Sequence, residues 1–90
     1  NGLNPILRIG RRILPAGSTT NLSWDTGGYL PGFCRVSGGG LTLDPLSVAV
    51  GSVPVVISGR TSFTLTCDYR NGVTATKTVS VEILPTGGET

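Results

Sequence analysis

The stretch Phe63-Thr64-Leu65-Thr66-Cys67-Asp68-Tyr69-Arg70-Asn71-Gly72-Val73 decides the fold class. Phe63, Leu65, Cys67 and Tyr69 fall on one parity and Thr64, Thr66 and Asp68 on the other, the period of two that a strand with one buried face requires. Asn71-Gly72 then supplies the two positive-φ residues of a tight hairpin turn. The return run carries Val73, Ala75, Val79, Val81 and Ile83 on one parity and ends at Leu84-Pro85. Lys77 shares that parity, so it is expected near a sheet end where its ammonium reaches water.

The composition agrees with this hairpin. Ala occurs three times, Lys once, Glu twice and Gln never, whereas Val, Ile and Thr total 26 and Gly 14. A chain poor in helix formers and rich in β-branched and turn residues is all-β. Its 38% hydrophobic content argues against disorder. No apolar run approaches the roughly 18 residues of a membrane span, so no membrane insertion is expected. A net charge of +2, with few aromatics between the basic residues, excludes a typical nucleic-acid binder. Arg8, Arg11 and Arg12 read instead as charges along a solvated strand edge. The absence of an initiator Met reads as a mature or excised segment.

Further strands flank the hairpin. Thr20, Leu22 and Trp24 alternate with Asn21 and Ser23 in a half-buried strand closed by Asp25-Thr26-Gly27-Gly28. Tyr29 to Val36 reads as an extended run entered through Pro31-Gly32. Leu41 and Leu43 form a short strand, Leu46, Val48 and Val50 alternate, Gly51-Ser52 reads as a turn, and Val53 to Ile57 as a strand. Pro54 in that last run points to an edge or an end. The first segment, Pro5 to Leu14, has Leu7, Ile9 and Ile13 on one parity and Ile6 and Leu14 on the other. Gly10 within it suggests a bulge or bend, a point where a first strand can change sheets. About seven short strands without a helix predict a two-sheet antiparallel sandwich of immunoglobulin type. It forms a single domain over residues 1–85, with 1–14 as first strand or exchangeable arm and 86–90 as linker or tail.

Cys34 and Cys67 stand 33 positions apart, each within a strand-like run, and no His is present to complete a zinc site or a catalytic dyad. An even pair in a small β domain reads as one disulfide. Such a bridge stabilises by roughly 3–4 kcal/mol in the chain-entropy model. It implies an oxidising, extracellular or cell-surface location. The predicted core around it comprises Leu22, Trp24, Val36, Phe63, Leu65, Val79 and Val81.

These motifs resemble a group of bacterial extracellular Ig-like domains. Ala16-Gly17-Ser18-Thr19-Thr20-Asn21-Leu22-Ser23-Trp24 matches their Gly turn followed by a small-residue strand ending Leu-x-Trp. Cys34-Arg35-Val36-Ser37-Gly38-Gly39 matches their Cys followed by small residues, and Phe63-Thr64-Leu65-Thr66-Cys67 their aromatic-x-Leu-x-Cys. Asn71-Gly72 and Val79-Ser80-Val81 complete the pattern, which spans roughly Ala16 to Ile83. The resemblance implies a module of adhesins, surface, pilus-associated or phage structural proteins, often in tandem. The pattern departs from antibody domains, whose bridge joins the second and sixth strands. Here Trp24 stands on the second strand and Cys34 on the third, so the bridge is expected to link neighbouring strands of one sheet, with Trp24 packing from the other. Leu65 stands where antibody domains carry the Tyr of the tyrosine corner.

No catalytic constellation is visible, and neither enzyme activity nor a cofactor is expected. Asp25, Asp44 and Asp68 lack the close spacing of calcium ligands and read as solvated or turn-forming carboxylates. Asn21-Leu22-Ser23 is a glycosylation sequon in mid-strand. Lys77 is the one lysine an isopeptide bond could use, without a motif to support it. The favoured function is a structural module of a filament, pilus or adhesin stalk, partnered by itself or by neighbouring Ig-like domains. Ile6, Leu7, Ile9, Ile13 and Leu14 are the candidate assembly arm, because two apolar parities suggest a second contact. The simpler alternative pairs this segment within its own domain. The second function is a glycan- or surface-ligand-binding adhesin domain whose loops offer Asp25, Tyr29 and Arg60, together with Phe33 if it is not core.

Overall fold

A computed structural model of the chain describes residues 4–68 and 74–84. These form eight strands: β1 (Ile6–Ile9), β2 (Ile13–Leu14), β3 (Ser18–Asp25), β4 (Cys34–Gly38), β5 (Leu41–Leu43), β6 (Val50–Ile57), β7 (Thr61–Asp68) and β8 (Thr74–Ile83). The protein is all-β with two sheets, one ordered β1-β3-β6 and the other β2-β8-β7-β4-β5. Buried residues of both sheets belong to one apolar cluster, which includes the Cys34–Cys67 disulfide. Tyr69, the expected turn at Asn71-Gly72 and the 86–90 tail lie outside the described residues. β7 and β8, which precede and follow residues 69–73 in the chain, pair antiparallel from Thr61↔Val81 to Asp68↔Thr74.

The first segment changes sheets. β1 pairs antiparallel with β3, and β2 pairs parallel with β8. Between them the Gly10 N–H donates to the Asn21 carbonyl at 2.9 Å and the Arg11 N–H to Thr20 Oγ1 at 3.1 Å. A Cβ on Gly10 would lie 2.8 Å from that same hydroxyl, which explains the glycine. The crossover resets the parity. Leu7 and Leu14 are both buried although they stand on opposite parities, while Ile6 and Ile13 are exposed and Ile9 is half-buried. The two-parity pattern that suggested a contact outside the domain therefore has an internal cause, and both pieces of the segment pair within their own chain.

Two other expectations need correction. The extended run from Tyr29 is interrupted by a 3₁₀ turn at Pro31–Phe33, where Pro31 sits in a helical first turn that needs no N–H and the Phe33 N–H reaches the Leu30 carbonyl at 3.0 Å. Gly51-Ser52 is not a turn but the interior of β6, which pairs with β3 from Asp25↔Val50 to Ser18↔Ile57. Gly51 lies opposite Trp24, and a Cβ there would sit 2.7 Å from the indole ring. The glycine thus serves a close approach. The chain bends instead at Ser47–Ala49.

Leu22, Trp24, Val36, Phe63, Leu65 and Val81 are buried. Val79 is only half-buried, because β2 covers β8 no further than Glu82 and Ile83 and leaves the rest of that edge open. Lys77 stands opposite Leu65 in mid-strand, on the same open edge, and is exposed. Its ammonium therefore reaches water past the edge of the sheet rather than past its end.

Candidate functional site

The pairing registers fix which residues share an end of the molecule. Asp25, at the end of β3, pairs with Ile6 and Val50, and the Gly27 carbonyl accepts the Asn4 N–H at 3.1 Å. Cys34, Cys67 and Asp68 also lie toward this end, because β7 starts beyond Ile57 and runs back along β4. At the other end Ser18 pairs with Ile57, the Gly17 N–H reaches the Ile57 carbonyl at 2.7 Å, and Arg60 follows.

This arrangement separates the three loop candidates. Asp25 and Arg60 stand at opposite ends of β3, about 23 Å apart along a strand rising ~3.3 Å per residue. Arg60 pairs with Glu82, Nε to Oε1 at 2.9 Å, with both side chains largely in water. Asp25 accepts the Gly27 N–H at 2.8 Å and so closes the turn after β3. Tyr29 is no loop ligand, being 3% exposed within the core cluster. Its carbonyl accepts a 2.7 Å hydrogen bond from the buried Thr26 hydroxyl, which draws the turn inward. Phe33, by contrast, is 43% exposed, because the 3₁₀ turn directs it out.

A hollow of about 230 Å³ lies on the outer face of the three-stranded sheet near Asp25, lined by Ile6, Arg8, Ser23, Trp24, Asp25 and Val50. Its walls combine two exposed aliphatic side chains with one cation and one carboxylate. Trp24 is anchored from the side by a 3.0 Å hydrogen bond from its Nε1 to the Val48 carbonyl. That partner, together with Gly51 beneath the ring, escaped sequence reasoning. The only available signal was a glycine at the centre of an apolar run near a tryptophan.

The Cys34–Cys67 bridge joins directly opposed residues of β4 and β7, so it is a cross-strand link within one sheet. Trp24 belongs to the other sheet and to the same buried cluster. One residue along, Arg35 and Asp68 form an ion pair at 2.8 Å across the outer face. The Arg35 hydrogen bond, followed by one from Thr74, holds the Asp68 carboxyl below its ordinary range, and the same bond raises the Arg35 guanidinium.

Among the described residues no group of three or more His, Cys, Asp or Glu is placed to hold a metal ion. Asp25 and Asp68 are each engaged in local hydrogen bonds. Asn21 of the sequon is exposed opposite Pro54 in mid-strand. No helix of the described residues is long and apolar enough to cross a membrane. Comparisons with protein-family models, curated proteins and solved structures return no match to this chain.

Proposed function

We propose that the chain is a non-enzymatic structural module, an immunoglobulin-like sandwich that serves as a repeat or subunit of an extracellular filament, pilus or adhesin stalk. The observation that carries this reading is the path of the chain. Asn4 is held at the Gly27 end, while Leu84 is held at the other, its N–H donating to the Leu14 carbonyl at 2.9 Å. Neighbours attached before and after the module therefore sit in line with it.

The strand order supports the immunoglobulin-like part of the reading. β1, β3 and β6 correspond to the first, second and fifth strands of that fold, and β4, β7 and β8 to the third, sixth and seventh, with β2 as a parallel continuation of the first strand. The disulfide supports the extracellular part. The β2–β8 pairing supports the structural part. Tension between the two ends draws β2 and β8 in opposite directions along their length. The Glu82 N–H to Arg12 carbonyl bond at 2.7 Å and the Leu84 to Leu14 bond then resist together in shear rather than opening one at a time.

Small-angle scattering of two copies joined through their own terminal residues tests the reading. The expected particle is a rod about twice the length of one copy. A folded-back pair no longer than a single copy overturns it, and saturable binding of one copy on a glycan array would favour the adhesin alternative.

A further inference from the structure

The long edge of the three-stranded sheet points to a second interaction surface, independent of the end-to-end reading. β2 and β5, the edges of the larger sheet, are two and three residues long. β1, one edge of the smaller sheet, has four residues and carries Arg8. β6, its other edge, runs for eight residues as Val-Gly-Ser-Val-Pro-Val-Val-Ile, without a charge. Natural proteins blunt sheet edges by shortness, charge or proline, and β6 has only Pro54.

The direction of its hydrogen-bonding groups follows from one bond. The Thr26 N–H donates to the Ala49 carbonyl at 2.9 Å, and in an antiparallel ladder such pairs recur at every second residue. Gly51, Val53, Val55 and Ile57 therefore direct their backbone groups toward β3. Val50, Ser52, Pro54 and Val56 direct theirs away from it, to an edge that no described strand covers. Pro54 falls on the side where its missing N–H takes nothing from the β3 ladder. The side chains of Val50 and Val56, on the outer face, are 67% and 66% exposed, the most exposed large apolar side chains of the described chain.

We propose that β6 pairs with β6 of a second copy, antiparallel about a two-fold axis at Val53, making one continuous six-stranded sheet from the two smaller sheets. This register sets Val50 opposite Val56 of the other copy and Ser52 opposite Pro54. It is the register that sets all four outward-facing residues of β6, Val50, Ser52, Pro54 and Val56, opposite outward-facing residues of the other copy. Each copy donates from Val50, Ser52 and Val56, and the Pro54 carbonyl accepts from Ser52. The two highly exposed valines become cross-strand neighbours at both ends of the contact. Because β6 carries no charge, the two copies meet without like-charge repulsion. The same patch serves on both copies, so the contact closes as a dimer. It is short against a standard interface, so the dimer is a weak one.

Sedimentation velocity over a concentration series, combined with amide hydrogen exchange of the same chain, tests the pairing. The expected result is a concentration-dependent dimer in which the Val50, Ser52 and Val56 amides gain protection as it forms, while those of Leu7 and Ile9 on the β1 edge do not. Val56→Lys sets an ammonium against Val50 of the other copy and should weaken the dimer at least tenfold. Its urea midpoint should stay at the wild-type value, because the Val56 side chain faces water within one copy. A chain that stays monomeric up to about 1 mM, the weak end of the affinity scale, overturns the proposal. So does a dimer that protects other amides, or one that Val56→Lys leaves as tight as before.

Discussion

Gly51 and Trp24 occupy one space between them. A Cβ on Gly51 would meet the indole at 2.7 Å and the Val48 side chain at 2.8 Å. Gly51→Ala is expected to destabilise by about 1–3 kcal/mol through overpacking, and Trp24→Ala by about 3–5 kcal/mol through the cavity it leaves. In urea denaturation the double variant should lose less than the sum, because removing the ring removes the clash with the indole and leaves only the one with Val48. Full additivity would mean that the two residues do not share that space. The burial of Leu22, Trp24, Leu65 and Cys67 was legible because strict alternation has one structural reading. Gly51 was not, since a glycine within an alternating run suits either a turn or a close approach, and only the partner strand decides. Tyr29 was misread for a related reason. A Gly-rich stretch looks like a surface loop, yet Tyr29 is buried in the core cluster and its carbonyl accepts from the buried Thr26 hydroxyl. For the bridge, thiol titration of the unfolded, unreduced chain should detect no free sulfhydryl. Reduction should cost about 3–4 kcal/mol in chain entropy.

At the scale of elements, the crossover from β1 to β2 makes a sharp contrast between adjacent residues. Leu14 is fully buried and Ile13 is 52% exposed. Leu14→Ala should therefore cost about 2–5 kcal/mol, whereas Ile13→Ser should stay within about 0.5 kcal/mol, both read from denaturation midpoints. Equal costs would mean that the segment does not change sheets after Gly10. The glycine was visible in the sequence as a break, but the parity reset was not, because counting by two assumes one continuous strand. The outer face of β7 and β4 makes a pH prediction. The folded Asp68 carboxyl titrates below its unfolded value, so near pH 4 the unfolded chain binds more protons. The stability this group adds is present above the unfolded pKa and disappears as pH falls through the folded one. Stability measured between pH 6 and 2 should show that loss in the wild type and a smaller one in Asp68→Asn. The effect is small, because both partners are about half exposed and water screens the pair. An identical acid profile for the variant would remove the ion pair from the account of acid stability.

For the whole molecule, the proposed role depends on a stapled module whose neighbours pull from opposite ends. The overall class followed from composition and from the β7–β8 alternation, which few other folds could produce. The parallel pairing of β2 with β8 did not, since two residue pairs leave no periodic trace in a sequence. The most direct measurement is force spectroscopy on a tandem array of this chain, stretched through its terminal residues with and without a reductant. The expected record is a series of discrete unfolding steps of equal length. Reduction should lengthen each step by the 33 residues that the bridge spans, about 110–120 Å at ~3.3–3.6 Å per residue. Smooth extension without discrete steps, or steps of the same length in both conditions, would contradict a stapled module that bears tension from end to end.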